Sequence, residues 1–227
     1  MPTLKNLMLS GVYRLQQLAF GSRAALSQRS RTRWRSAIPS SDLTWGRRVS
    51  GDAFIRKVEF YGGFGSAKSI LEIGPGYGRL LQSCLDLKVP FKDYYALDIS
   101  AANVDWLREK FGAPNRMFIQ GDAETTPLPA GFDSMMSSLT FKHLYPSFEP
   151  ALNNLVRFAR PNARFFFDLL EGQSRFFERD RITYIRRYSR EQVTDMLARS
   201  RLELVAFDTV EHDPEHRRLL VVAGLTR

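Results

Sequence analysis

Ile70-Leu71-Glu72-Ile73-Gly74-Pro75-Gly76-Tyr77-Gly78-Arg79-Leu80-Leu81 is the stretch whose reading decides the fold. Ile70 to Ile73 suit a buried strand, with one acid, Glu72, near its end. Gly74, Gly76 and Gly78 follow, and then Leu80, Leu81, Cys84 and Leu85 recur at helical spacing. Strand, glycine turn, helix is the shape of a nucleotide-binding βα unit. Glycine lacks a Cβ, so the chain turns sharply there and a ligand can lie against its backbone. The helix behind the turn begins with N–H groups that have no partner within the helix.

Two common nucleotide fingerprints do not fit. The dinucleotide turn is G-x-G-x-x-G and the phosphate loop is G-x-x-x-x-G-K-[ST]. Here the spacing is G-x-G-x-G, and no lysine follows. The run Leu71-Glu72-Ile73-Gly74-Pro75-Gly76-Tyr77-Gly78 resembles the first motif of the class I S-adenosylmethionine-dependent methyltransferases. In that family the glycine turn packs against the amino-acid part of the cofactor. The resemblance therefore implies S-adenosyl-L-methionine as cofactor, with Glu72, Gly74, Gly76 and Gly78 in its site.

Further markers arrive in order. Asp98 closes the second predicted strand, where nucleotide-binding α/β folds keep an acid for ribose hydroxyls. One carboxylate can accept two such bonds. Ile99 matches the family's apolar residue on the adenine. Gln120-Gly121-Asp122-Ala123 follows the third predicted strand. By resemblance Asp122 accepts the adenine amino group, and a backbone N–H beside it, at Ala123, faces the ring. Leu128-Pro129-Ala130-Gly131-Phe132-Asp133 resembles the family's entry to strand four, with Asp133 structural. Ser138 and Leu139, which end that strand, would border the sulfonium and the donated methyl. Taken singly, each marker has a plainer reading: a ligand-free turn, an acid near a helix start, a Gly-Asp loop. The ordered set favours the site, and the resemblance spans about residues 55–227.

The family's reaction is in-line displacement at an activated methyl, so the protein mainly supplies position and a place for any lost proton. His143, just after strand four, is the candidate general base; a structural histidine bonded to backbone is the competing reading. Tyr145, Asp168 and Glu171 are further pocket candidates, near the strand ends where such sheets bind ligands. The Asn/Asp-Pro-Pro-Tyr form of amine methylation is absent, and Ser137-Ser138-Leu139-Thr140 stands in its place. O-methylation is therefore expected. Arg175, Arg179, Arg181, Arg186 and Arg187 fall in the segment that often forms the family's acceptor lid, and can recognise an anion or form a solvated face. His212-Asp213-Pro214-Glu215-His216 reads as a polar hairpin loop rather than a metal site, because Pro214 interrupts any shared helical face. No metal is expected.

The 227 residues are 44% hydrophobic and carry a net charge of +9. Residues 1–50 hold nine basic side chains against the single acid Asp42, so eight of those nine net charges lie there. A nearly neutral body makes a nucleic-acid substrate unlikely to be recognised, and none is expected. The one cysteine, Cys84, falls on a helix's apolar face and reads as a core thiol. Residues 3–20 place Leu4, Leu7, Met8, Val12, Leu15, Leu18 and Ala19 at helical spacing with Lys5 and Arg14 between them. Such a helix can lie on an anionic membrane surface, pack on the domain, or belong to a mitochondrial transit peptide. Residues 21–41 are rich in Ser and Arg and read as a linker. The expected location is cytoplasmic, peripheral at a membrane's inner face, or alternatively mitochondrial.

From residue 69 strands and helices alternate. Strands are expected at about 69–73, 93–98, 116–120, 133–139, 164–170, 202–210 and 217–225. Helices are expected at about 77–87, 100–111, 148–160 and 189–199. The expected fold is α/β: a Rossmann-like, doubly wound, seven-stranded sheet, mostly parallel with an antiparallel last strand. Residues 1–50 form a basic extension and 51–227 the domain. The expected function is methyl transfer to a small-molecule, glycan or lipid-linked acceptor. The alternative is a non-catalytic assembly or binding factor on the same scaffold, possibly organellar.

Overall fold

The computed structural model describes residues 11, 13–16, 22–38, 50–129, 131–211 and 217–226. After a short helical piece at 11 and 13–16 come helices α1 (Arg23–Arg35) and α2 (Asp52–Phe60), then strand β1 (Gly65–Ile73). Helix α3 (Arg79–Asp86), β2 (Phe91–Asp98), α4 (Ala101–Phe111), β3 (Arg116–Gln120) and β4 (Phe132–Ser137) follow. A 3₁₀ turn (Phe141–His143), α5 (Glu149–Leu155) and β5 (Ala159–Glu171) lead to a hairpin, β6 (Arg175–Phe177) and β7 (Tyr184–Tyr188). Helix α6 (Arg190–Arg199), β8 (Leu202–Glu211) and β9 (Arg217–Leu225) complete the order.

The sheet runs β3-β2-β1-β4-β5 with all neighbours parallel. Strand β9 then joins β5 antiparallel, and β8 joins β9. This is the expected seven-stranded body with its antiparallel last strand. Side-chain alternation divides the core between its two faces. Leu71, Ile73, Phe165 and Phe167 pack into one cluster with α5 and α6. Ile70, Tyr94, Met136 and Phe166 pack into the other with α2, α3 and α4. Phe165, Phe166 and Phe167 are all fully buried, because β5 is covered on both faces. The strand order reverses between β1 and β4, so the carboxyl ends of these parallel strands open onto a topological switch point, where open α/β sheets bind ligands.

Three boundaries differ from expectation. The helix expected at 148–160 ends at Leu155, passes through a 3₁₀ turn at Val156–Phe158, and gives way to β5 at Ala159. Pro161 biases Arg160 toward extended backbone, and Ala159 already pairs with Phe132. The Ser- and Arg-rich segment expected as a linker contains α1, capped at its start by the Ser22 side chain. Its helix is held by tertiary contacts that local composition does not reveal. Hairpin β6–β7 was not expected as strands; it docks on the end of β5, with Leu170 beside Arg187 and Glu171 beside Tyr188. The 212–216 loop and most of the expected 3–20 helix lie outside the described residues.

Candidate active site

At the switch point lies a cavity of about 600 Å³. Its donor end begins at the glycine turn. Gly74 has φ +68°, and a Cβ there would come within 2.4 Å of the Thr140 side chain. The Gly76 N–H donates to Asp98 Oδ2 at 3.0 Å. Gly78 has another role. It does not line the cavity; at φ +88° its missing Cβ makes room for Phe111 and Leu107 of α4. Glu72 is buried beneath the turn and accepts a hydrogen bond from the Tyr94 hydroxyl. Burial pushes its carboxyl up to about 7, against the pull of Tyr94 and Arg79.

Asp98 ends β2 as a buried carboxylate. Its Oδ1 accepts from the Ser100 N–H at 2.9 Å and from Asn103 Nδ2 at 3.2 Å. Burial raises its pKa, and these bonds with that from Gly76 oppose the rise. Ile99 lines the cavity next door. Asp122 and Ala123 line it too; Asp122 Oδ1 accepts the Glu124 N–H at 3.0 Å, and the Ala123 carbonyl accepts from Asn154. Arg31 of α1 reaches across, with Nε 3.2 Å from Asp122 Oδ2 and Nη2 bonded to Glu124.

Beyond the turn the cavity continues to Leu170 near the end of β5. Leu139 lines it in a left-handed conformation, φ +65°, which costs a non-glycine residue strain. Asp168 holds it there, accepting the Leu139 N–H at 2.7 Å and the Ser138 hydroxyl at 2.6 Å. Ser138 Oγ also accepts from Arg79 Nη2 at 2.7 Å. Asp168 itself is buried beneath the wall, and Glu171 faces outward to Arg190 at 2.9 Å. Of the acidic candidates on β5, neither presents itself to the cavity. Tyr145 does, within an aromatic cluster with Phe177 and Tyr184.

His143 lines the cavity with its Nδ1 2.8 Å from the Tyr184 carbonyl oxygen. A carbonyl only accepts, so Nδ1 carries the proton and Nε2 is the basic nitrogen. Burial, with Lys142 adjacent, holds its pKa well below the usual histidine range. The Trp34 ring of α1 lies 4.5 Å from the imidazole, and Ser30 Oγ donates to the His143 carbonyl at 3.3 Å. Helix α1 thus walls both ends of the site, and reading the sequence as a linker there missed it. The Trp34 among arginines was the available signal.

The fold and cavity have counterparts among known proteins. Residues 71–167 match a family model described as a methyltransferase domain. The fold is that of the class I methyltransferases. Fatty-acid O-methyltransferase from Mycolicibacterium smegmatis is 30% identical over 101 residues, 44% of this chain and 36% of that protein. Phthiotriol/phenolphthiotriol dimycocerosates methyltransferase from Mycobacterium leprae is 30% identical over 96 residues, 42% of this chain and 35% of that protein. The match therefore spans little more than a third of these relatives' length. Burkholderia thailandensis 1,6-didemethyltoxoflavin-N1-methyltransferase, solved with S-adenosylhomocysteine, superposes with a TM-score of 0.74 at 15% identity, covering 91% of this chain and 92% of that one. The glycopeptide N-methyltransferase MtfA with S-adenosylhomocysteine gives 0.63 at 16% identity, over 78% and 90%.

The donor end of the cavity has a lining that fits S-adenosylmethionine, the cofactor of methyltransferases with this fold. The cradle at Gly74 leaves room only while a Cβ is absent, and the polar groups follow in series: Glu72, Asp98 and then Asp122. That series matches an ammonium, a ribose and an amino-purine in turn.

Proposed function

We propose that this chain transfers a methyl group from S-adenosylmethionine to an oxygen of a small, largely apolar or lipid-linked acceptor. The observation that carries the proposal is one continuous cavity: it joins the Glu72–Asp98–Asp122 series to an aromatic chamber past Leu139. When bound, the cofactor supplies an electrophilic methyl on a positively charged sulfur. Glu72 faces its ammonium, Asp98 the ribose hydroxyls and Asp122 the adenine amino group, with Ile99 and Ala123 beside the ring. Ser138 and Leu139 border the transferred methyl. His143 Nε2 is the group that can take a proton from a hydroxyl acceptor. Trp34, Tyr145, Phe176 and Ile185 give the chamber apolar walls that exclude water. The relatives' names, a fatty acid and a phthiotriol lipid, support an acceptor of this class.

Calorimetry should detect S-adenosylhomocysteine, and Asp98→Asn should weaken it about tenfold or more, since a hydrogen bond to a charged group contributes roughly 1.5–3 kcal/mol. A screen with labelled S-adenosylmethionine should then place label in apolar oxygen acceptors. Absence of cofactor binding would return the chain to the rival reading, a non-catalytic scaffold. The basic segment 3–20 supports peripheral attachment at the cytoplasmic face of a membrane. Flotation with anionic vesicles, lost on deletion of that segment, tests it; flotation of the deleted form removes the role.

A further inference from the structure

Charge along the cavity is segregated. Glu72, Asp98, Asp122 and Glu124 line the donor half, and Arg31 pairs with the last two. Arg33 lies 3.8 Å from Asp180. Arg79 donates to Ser138 and to the Ser50 carbonyl. The cations lining the acceptor end include Lys142, Arg187 and Arg218.

Strand register explains why they meet. Arg187 stands beside Leu170 where β7 runs parallel to β5. Strand β9 pairs with β5 as far as Leu169 beside Leu219, and Arg218 is the residue next to Leu219. Arg187 and Arg218 thus both line the cavity where β5 ends, together with Lys142 from the 3₁₀ turn after β4. Lys142 and Arg218 are 9% and 4% exposed, so their charges act in a poorly screened setting. Glu178 lines the same end and Asp168 lies beneath it, two carboxylates against three cations. Burial, with Arg218 and Arg79 close by, pushes Lys142 down to about 7, while Asp168 and Glu178 pull the other way. An entering anion would relieve that crowding.

We propose that the acceptor is an apolar carboxylic acid whose carboxylate seats among Lys142, Arg187 and Arg218, which select an ionised oxygen over a hydroxyl. The proposal rests on the methyl-transfer reading above. An acceptor carboxylate oxygen contributes the electron pair of the new C–O bond, and the pair of the broken methyl–sulfur bond stays on sulfur. Anion and sulfonium give a neutral ester and a neutral thioether, with no proton to remove. That balance agrees with an imidazole at His143 whose basicity burial has reduced. It also makes His143 a wall of the pocket for this acceptor rather than its base.

The test uses full-length protein saturated with S-adenosylhomocysteine, titrated in a calorimeter with octanoate and with octanol. Octanoate is expected to bind about tenfold or more tighter, as a charge-assisted contact should. Lys142→Met and Arg187→Gln should each remove most of that preference and leave S-adenosylhomocysteine and octanol binding in place. Wild-type affinity for octanoate should fall between pH 7 and pH 9 as Lys142 loses its proton in the field of Arg79, Asp168, Glu178 and Arg218. In Lys142→Met it should stay flat. Equal wild-type affinities for the two probes, or a preference that survives both substitutions, overturns the proposal. With labelled S-adenosylmethionine the label should enter a base-labile methyl ester. Label found only on hydroxyl acceptors overturns the carboxylate and leaves methyl transfer standing, whereas failure to bind S-adenosylhomocysteine removes the reading beneath it.

Discussion

Glu72 illustrates how a buried acid in a cavity wall can oppose stability. Its carboxyl is buried, and burial raises its pKa from an ordinary 4.5 to about 7. As pH climbs through that window the unfolded chain releases its proton while the folded chain keeps it. Stability contributed by the neutral folded form is therefore full below pH 4.5 and falls until about pH 7, by roughly 3 kcal/mol in all. Glu72→Gln keeps an acceptor for Tyr94 and removes the titration. Denaturant unfolding should show Glu72→Gln gaining about that amount over wild type at pH 8, compared with their difference at pH 4. The same substitution should weaken S-adenosylhomocysteine, because an ionised carboxylate is what an ammonium needs. Parallel pH profiles for the two proteins would mean Glu72 ionises freely in the fold. Asp98 and Asp122 were legible as acids at the ends of successive strands, and both line the cavity. Asp168 was legible only as a pocket candidate, and its work as the acceptor for Ser138 and Leu139 depends on a strand thirty residues away.

At the scale of elements, the glycine turn is two devices in one stretch. Gly74 and Gly76 shape the cavity, while Gly78 lets α3 start against α4. Gly78→Ala would place a Cβ 2.4 Å from Phe111 Cε2 at a φ of +88°. Left-handed strain plus overpacking should cost about 2–4 kcal/mol. Urea denaturation should register that loss; a cost under about 1 kcal/mol would show that α4 can shift aside. The motif's spacing reveals three glycines and cannot say which face ligand and which face helix. That distinction comes from where α4 lies. Hairpin β6–β7 was hidden for a related reason: its strands are short, carry five of the expected lid arginines in or around them, and gain their pairing only from β5 and from each other.

For the molecule as a whole, the N-terminal region is the part whose meaning changed most. Leu26 of α1 is fully buried, Tyr13 is 3% exposed, and both join a cluster with Tyr145, Phe177 and Tyr184. Burying one large apolar side chain is worth about 1.5–3 kcal/mol. The Ala37 carbonyl also accepts from Ser100 at 2.7 Å, tying the segment to the start of α4. Deleting residues 1–38 should leave the sheet folded, since every strand lies after it, yet expose the aromatic cluster. A lower thermal midpoint and increased binding of an apolar dye should report this, with S-adenosylhomocysteine affinity reduced because Arg31 and Ala37 line the donor end. An unchanged midpoint would mean α1 contributes a wall and little stability.

The amino-acid sequence by itself determined the alternating α/β order, the glycine turn and the three acids behind successive strands. These are local patterns, set by strand and helix periodicity and by what a turn without Cβ allows. Only the tertiary structure decided what surrounds the transferred group. Helix α1 has no apolar stripe of its own strong enough to announce a partner, and its charges find Asp122 and Glu124 some ninety residues away. Arg187 and Arg218 line one cavity because β7 and β9 both pair with the carboxyl-terminal part of β5. The glycine turn and strand-end acids of the proposed donor site are local in sequence, whereas the rest of the cavity is assembled across the sheet by long-range pairing.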